Sequence, residues 1–332
     1  MEKLSTQAKW QPWKGVIFQV IAVGMLLFPG SFIQYYLGLW GVVITELMFL
    51  ALAVIWTLAK KTPLKEVFPV KVPTVRDVIG TVMLWLGILP LSMLSVMIMM
   101  LILPDNFVNT ATGLNEVMTS ETAILTFITV AILPPVCEEA LQRGVALSYF
   151  RSLKHDWVIV LIIGIFFGIL HLDPVRFGTT AILGAALAYV VVKRNNMVLA
   201  MIIHFINNAF STSMALFSSA TEQVESVETT EAVQTLADSG LMVIGAFLIV
   251  GCLSPILIAG AIHLLNPGKK LHNFTRYIVA GVLCGVMFFT GMIMFVATLI
   301  NSPEYQEIYE SIEAEQMEQM EQMEQMEGFG LE

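Results

Sequence analysis

Long apolar runs, separated by short polar or proline-punctuated stretches, fill most of the chain. They fall near residues 15–36, 38–59, 78–103, 122–150, 156–172, 178–193, 197–217, 240–265 and 277–300. A helix needs about 20 residues to cross ~30 Å of hydrocarbon, and only the runs at 156–172 and 178–193 fall short of that. No period-two alternation, which a membrane barrel would need, competes with this pattern. The runs therefore predict an all-α fold, a polytopic membrane helical bundle with eight or nine transmembrane helices.

Composition agrees. Of the 332 residues, 57% are hydrophobic and 13% charged, against about 25% charged in a soluble domain, and the mean hydropathy is +0.78. Cys137, Cys252 and Cys284 lie in or beside apolar runs without CxxC spacing, so neither a disulfide framework nor a thiolate metal site is indicated. The first run follows Lys3, Lys9 and Lys14, as in a signal peptide. It lacks a small-residue cleavage site and leads straight into a second span, so it is expected to be retained.

Charge then sets an orientation. With the N-terminus inside, Lys3, Lys9, Lys14, Lys60, Lys61, Lys65, Lys71, Arg76, Arg151, Lys154, Lys193, Arg194, Lys269, Lys270 and Arg276 are all cytoplasmic, and only Arg143 and Arg176 of the 17 basic residues are not. The loops at 104–121 and 218–240 carry acids but no Lys or Arg. This positive-inside asymmetry predicts a multi-pass integral protein of the cell (plasma) membrane, with residues 1–14 cytoplasmic and nine spans. The net charge of −9 is not pooled into a basic patch, and no nucleic-acid partner is expected. Residues 15–300 form the membrane domain, and 218–240 is an acidic loop with room for a short helix. Residues 301–332 repeat Glu-Gln-Met, a period that matches no packed helix face, and are expected to be a disordered low-complexity tail.

Few strongly polar side chains lie inside the spans: Glu46, the group Glu138/Glu139/Arg143, His171, and the pair His204/Asn208. Such residues are costly in hydrocarbon and usually face a polar, water-filled cavity. At ~1.5 Å per residue, Glu139 lies about 18 Å from Arg151, His171 about 21 Å from Trp157, and His204 about 13 Å from Asn195. Three helices thus bring polar groups to a similar level. Glu139 and Arg143, four apart, share a helix face and can pair, while Glu138 is rotated by about 100°. His204 and Asn208 are also four apart and could donate toward one point, as an oxyanion requires; interhelical hydrogen bonding would use the same residues. Gly164 and Gly168 suit helix packing. Glu46 is isolated and calls for a partner on another helix. Cys137, beside two carboxylates, fits a small buried residue better than a nucleophile.

In order, "EEALQR", "FGILH" and "HFINN" resemble the EExxxR, FxxxH and HxxxN motifs of the type II CAAX prenyl endopeptidases. That family includes the bacterial CAAX-protease and bacteriocin-processing proteins, also called Abi or lysostaphin-resistance-A-like. Glu138, Glu139 and Arg143 match the first motif, Phe167 and His171 the second, and His204 and Asn208 the third. The motif core covers residues 121–217.

The resemblance implies an intramembrane endopeptidase built as a helical bundle around a polar intramembrane cavity. Its substrate would be a membrane protein or a lipidated or hydrophobic peptide, with prenylated CAAX proteins as the family type. Catalysis would fall to Glu138, Glu139, Arg143, His171, His204 and Asn208, with Phe167 at the substrate cavity. Glu138 is the expected water-activating base, because Glu139 has Arg143 to pair with, and His204 with Asn208 would hold the oxyanion. A glutamate-dependent mechanism without a cofactor is expected. The metal alternative is a zinc ion held by Glu138, Glu139, His171 and His204, although HExxH is absent. Two other functional classes use similar features: a non-catalytic adaptor or bacteriocin-immunity protein, and a proton-coupled transporter. The transporter would be expected to show a repeated motif in its other half, and none is found.

Overall fold

A computed structural model describes residues 10–221, 239–267 and 273–329. Most of the acidic 218–240 segment lies outside the described residues. Among those described, the regular structure is helical throughout.

The first helical stretch, α1 (Pro12–Ala59), is a hairpin. At Gly38 the backbone takes φ 53° and ψ −129°, a region favouring glycine because a Cβ would clash, and the chain turns back on itself. Gln34 Nε2 donates to Thr45 Oγ1 at 2.8 Å, although a straight helix would hold these residues about 16 Å apart. The limbs correspond to the first two apolar runs.

There follow α2 (Val75–Ile102), α3 (Pro104–Thr119), α4 (Ala123–Phe150), α5 (Asp156–Leu170), α6 (Pro174–Arg194), α7 (Met197–Thr221), α8 (Gly240–Leu265), α9 (Asn273–Ile300) and α10 (Pro303–Phe329). Among the described residues, seven helical stretches are long and apolar enough to cross a membrane. Counting both limbs of α1 and the shorter apolar α5 brings the crossing segments to nine, as the hydropathy pattern predicts. The polytopic helical bundle is confirmed.

Burial ranks these helices. The hydrophobic windows of α4 and α6 are 56% and 50% buried, that of α9 only 11%, so α4 and α6 are central and α9 peripheral. On α9 the side chains of Val282, Val286, Phe289 and Ile293 are exposed. Their 4-3-4 spacing forms one helix stripe, as expected of a face turned to lipid.

Polar contacts collect the basic loops at one end of the bundle. Arg194 pairs with Asp77 at 2.7 Å and Lys193 with Asp156 at 2.6 Å. Lys71 N donates to Asn196 Oδ1, and Arg76 donates to the carbonyls of His263 and Leu264. At the other end, Thr110 of α3 donates to Asp173 at 3.0 Å. Lys3, Lys9, Lys269 and Lys270 lie outside the described residues.

Two local features shape the centre. α4 carries π-helical stretches at Ile128–Ile132 and Ala140–Ala146. Pro134 and Pro135 follow the first, and their missing N–H groups break the regular i→i−4 ladder. α5 and α6 approach closely on glycine. A Cβ at Gly164 would lie 2.8 Å from Ala181 O, and one at Gly184 would lie 2.7 Å from Phe167 Cβ. The packing role read for Gly164 holds.

The Glu-Gln-Met tail departs from expectation, since α10 runs as a helix through Pro303–Phe329 rather than a disordered segment, with Met317, Met320 and Met323 exposed. Glu, Gln, Met and Ala are all good helix formers, and neither Pro nor Gly interrupts the sequence from Glu304 to Glu327. Local propensity wins where no packing face exists.

Candidate active site

The site is assembled from α4, α5, α6 and α7, with one further side chain from α1. The charged core is Glu139 and Arg143, both 0% exposed. Arg143 Nη1 donates to Glu139 Oε1 at 2.9 Å, and Nη2 donates to the Gly184 carbonyl at 3.0 Å. The guanidinium lies 4.4 Å from the centre of the Phe167 ring. A buried arginine needs such a set of acceptors, because an unpaired charge there would cost several kcal/mol on the order of magnitude. The i,i+4 pair expected from the sequence is present.

Glu139 Oε1 also lies 2.9 Å from His204 Nδ1. An oxygen already paired with Arg143 is an acceptor, so Nδ1 carries the proton of this bond. His204 Nε2 then faces Glu138, 3.7 Å from its Oε2. The α7 histidine therefore bridges the two adjacent glutamates of α4. Asn208, one turn along α7, donates from Nδ2 to the Val130 carbonyl at 3.0 Å. An amide nitrogen has two hydrogens, so one donor remains for another acceptor. That carbonyl belongs to the first π-helical stretch of α4.

His171 follows the last residue of α5. Its Nδ1 is 2.8 Å from the Phe167 carbonyl, which can only accept, so Nδ1 is the donor and the neutral ring offers Nε2 as an acceptor. Leu172 at φ 53° turns the chain, and Asp173 caps α6 by accepting from Val175 N and Arg176 N. Pro174 follows at the first helical position, where its missing N–H costs nothing.

Phe167 does not lie open to a cavity. It is 0% exposed, with its ring edge-on to His171 at 4.8 Å and to His204 at 5.6 Å between centroids. With Arg143 stacked on it as well, Phe167 holds three site residues in place. Its expected position as a cavity-lining residue is corrected accordingly: the close α5–α6 approach leaves no open surface on the ring.

Two charged neighbours add to the set. Glu46, from the second limb of α1, is buried and interacts with Glu138, which is the partner that the sequence left unnamed. Arg176, in the first turn of α6, exerts its charge on both Glu138 and His171. Its only sequence signal is that it falls outside the basic loops. Cys137 is fully buried.

The residues that could hold a metal were tested against this geometry. Glu139 Oε1, His204 Nδ1 and His171 Nδ1 are engaged with protein groups. Among the described residues no group of three or more His, Cys, Asp or Glu is arranged to hold a metal ion. Glu138 Oε2, Glu139 Oε2 and the Nε2 atoms of His171 and His204 stay outside these bonds.

Residues 120–210 match the family model described as Type II CAAX prenyl endopeptidase Rce1-like. No curated protein and no solved structure matches the chain. The matched segment carries all three motifs, so the likeness to that family rests on the same residues that carry the site.

Proposed function

We propose that this chain, whose residues 120–210 are Rce1-like, is an intramembrane endopeptidase that cleaves a membrane protein or lipidated peptide with a glutamate-activated water. One observation carries the reading: the residues of three separated motifs meet in one cluster, tied by the Glu139–Arg143 and Glu139–His204 contacts and by the Phe167 ring against Arg143, His171 and His204.

Glu139 is held by Arg143 and His204, whereas Glu138 Oε2 is buried without a hydrogen-bond partner. Glu138 is therefore the base. It takes a proton from water as the water oxygen bonds to the scissile carbonyl carbon, and His171 Nε2 accepts a hydrogen bond from the same water. The carbonyl becomes an oxyanion. The remaining Asn208 N–H, and His204 Nε2 when it carries a proton, donate to that oxygen; one such donor is worth about 10²–10³ in rate. Collapse re-forms the carbonyl and breaks the C–N bond, and the proton on Glu138 passes to the departing amine. Water and side chains account for every proton.

The test compares the membrane peptides of cells carrying wild type and Glu138→Gln. A defined set of uncleaved precursors accumulating in the variant supports the reading, and identical peptide sets contradict it.

A further inference from the structure

Glu46 lies outside the matched segment and belongs to none of the three motifs. It sits 92 positions before Glu138, on a different helix, and is 6% exposed. The limb that carries Glu46 packs on the stretch of α4 that carries Glu138, the two carboxyls interact, and Glu46 Oε2 is buried with no hydrogen-bond partner. Glu138 Oε2 is likewise buried and unpartnered.

A buried acid facing another acid is poor material for stability alone. An apolar side chain of similar volume packs there without the desolvation cost. Two carboxyl groups can meet only if one carries the proton of the bond between them, and that bond fixes the orientation of both. Glu138 has few other restraints: its nearest ion-pair contact is His204 Nε2 at 3.7 Å, too long for a hydrogen bond. Without Glu46, the carboxyl of Glu138 could turn about its side-chain torsions.

We propose that Glu46 is a positioning residue for the peptidase reaction, donating a hydrogen bond that aims the Glu138 carboxylate at the attacking water. The inference rests on the function proposed above, with Glu138 as base. The N-terminal hairpin then belongs to the active site, because its second limb supplies the residue.

The test uses full-length protein in detergent or proteoliposomes and a peptide spanning the cleavage site identified from the Glu138→Gln comparison. Glu46→Ala and the volume-conserving Glu46→Met remove the donor. Glu46→Gln keeps an N–H donor but has no acidic proton to transfer. The expected result is a fall in kcat of about 10²-fold for Ala and Met, the scale of a misplaced catalytic group, with KM within about 2-fold. Glu46→Gln should stay within about 3-fold of wild type. Unchanged kcat in Glu46→Met overturns the proposal. So does a folded Glu46→Gln as impaired as Glu46→Met, since Glu46 would then supply the proton itself. If Glu138→Gln cleaves normally, the peptidase reading fails instead, and the two failures are distinguished.

Discussion

Glu139 and His204 are joined by a 2.9 Å contact between Oε1 and Nδ1, and the same oxygen receives Arg143. One carboxylate oxygen thus ties α4 to α7 while neutralising a fully buried cation. Under the proposed function the adjacent glutamates divide the work, Glu139 as anchor and Glu138 as the group that meets water.

The anchor can be tested through stability. Arg143→Ala leaves Glu139 buried without its cation, and breaking such a pair costs about 3–5 kcal/mol. Thermal unfolding of the purified protein should shift clearly downward in Arg143→Ala and in Glu139→Gln. Glu138→Gln should unfold near the wild-type temperature. Equal melting temperatures for all three would remove the distinction.

Gly184 supplies a second expectation. A methyl group there would sit 2.7 Å from Phe167 Cβ and 3.2 Å from Gly164 Cα, pushing α5 from α6 and displacing the carbonyl that receives Arg143. Gly184→Ala should cost about 1–3 kcal/mol through overpacking and reduce cleavage. Full activity at wild-type stability would show that the close approach is dispensable.

Asn208→Ala removes the proposed oxyanion donor and the link to Val130. A fall in kcat of about 10²–10³-fold with little change in KM is expected from initial-rate measurements. A change confined to KM would place Asn208 in substrate binding.

Metal dependence follows from the donor set. With no three candidate ligands grouped among the described residues, purified active protein should contain well under one zinc per chain and keep its activity in chelator. Stoichiometric zinc together with chelator-sensitive, zinc-restored cleavage would reverse the metal-free mechanism.

Much of the site is legible before folding is considered, because its motifs are local. The spacing of Glu139 and Arg143 already places them on one face, and the order of the three motifs names His171, His204 and Asn208. What the sequence cannot show is which atoms are already engaged. His204 and Asn208 read as converging donors, yet one N–H of each is committed to a protein acceptor. Phe167 reads as lining a cavity and proves to be the plate on which Arg143, His171 and His204 pack. Glu46 stands out in the sequence as an isolated intramembrane acid, but its partner does not, since only the Gly38 reversal and the packing of the second limb of α1 on α4 bring it to Glu138. The tail was misjudged for the opposite reason: its triplet repeat has no packing face, but each residue favours a helix by itself.

The central claim is that Glu138 activates the water that cleaves a membrane-associated substrate. The direct measurement is the rate of cleavage by Glu138→Gln and Glu139→Gln proteins at matched membrane levels, using a substrate peptide identified from cells. Glu138→Gln should show no detectable cleavage while remaining folded. A Glu138→Gln protein that cleaves at the wild-type rate would contradict the account.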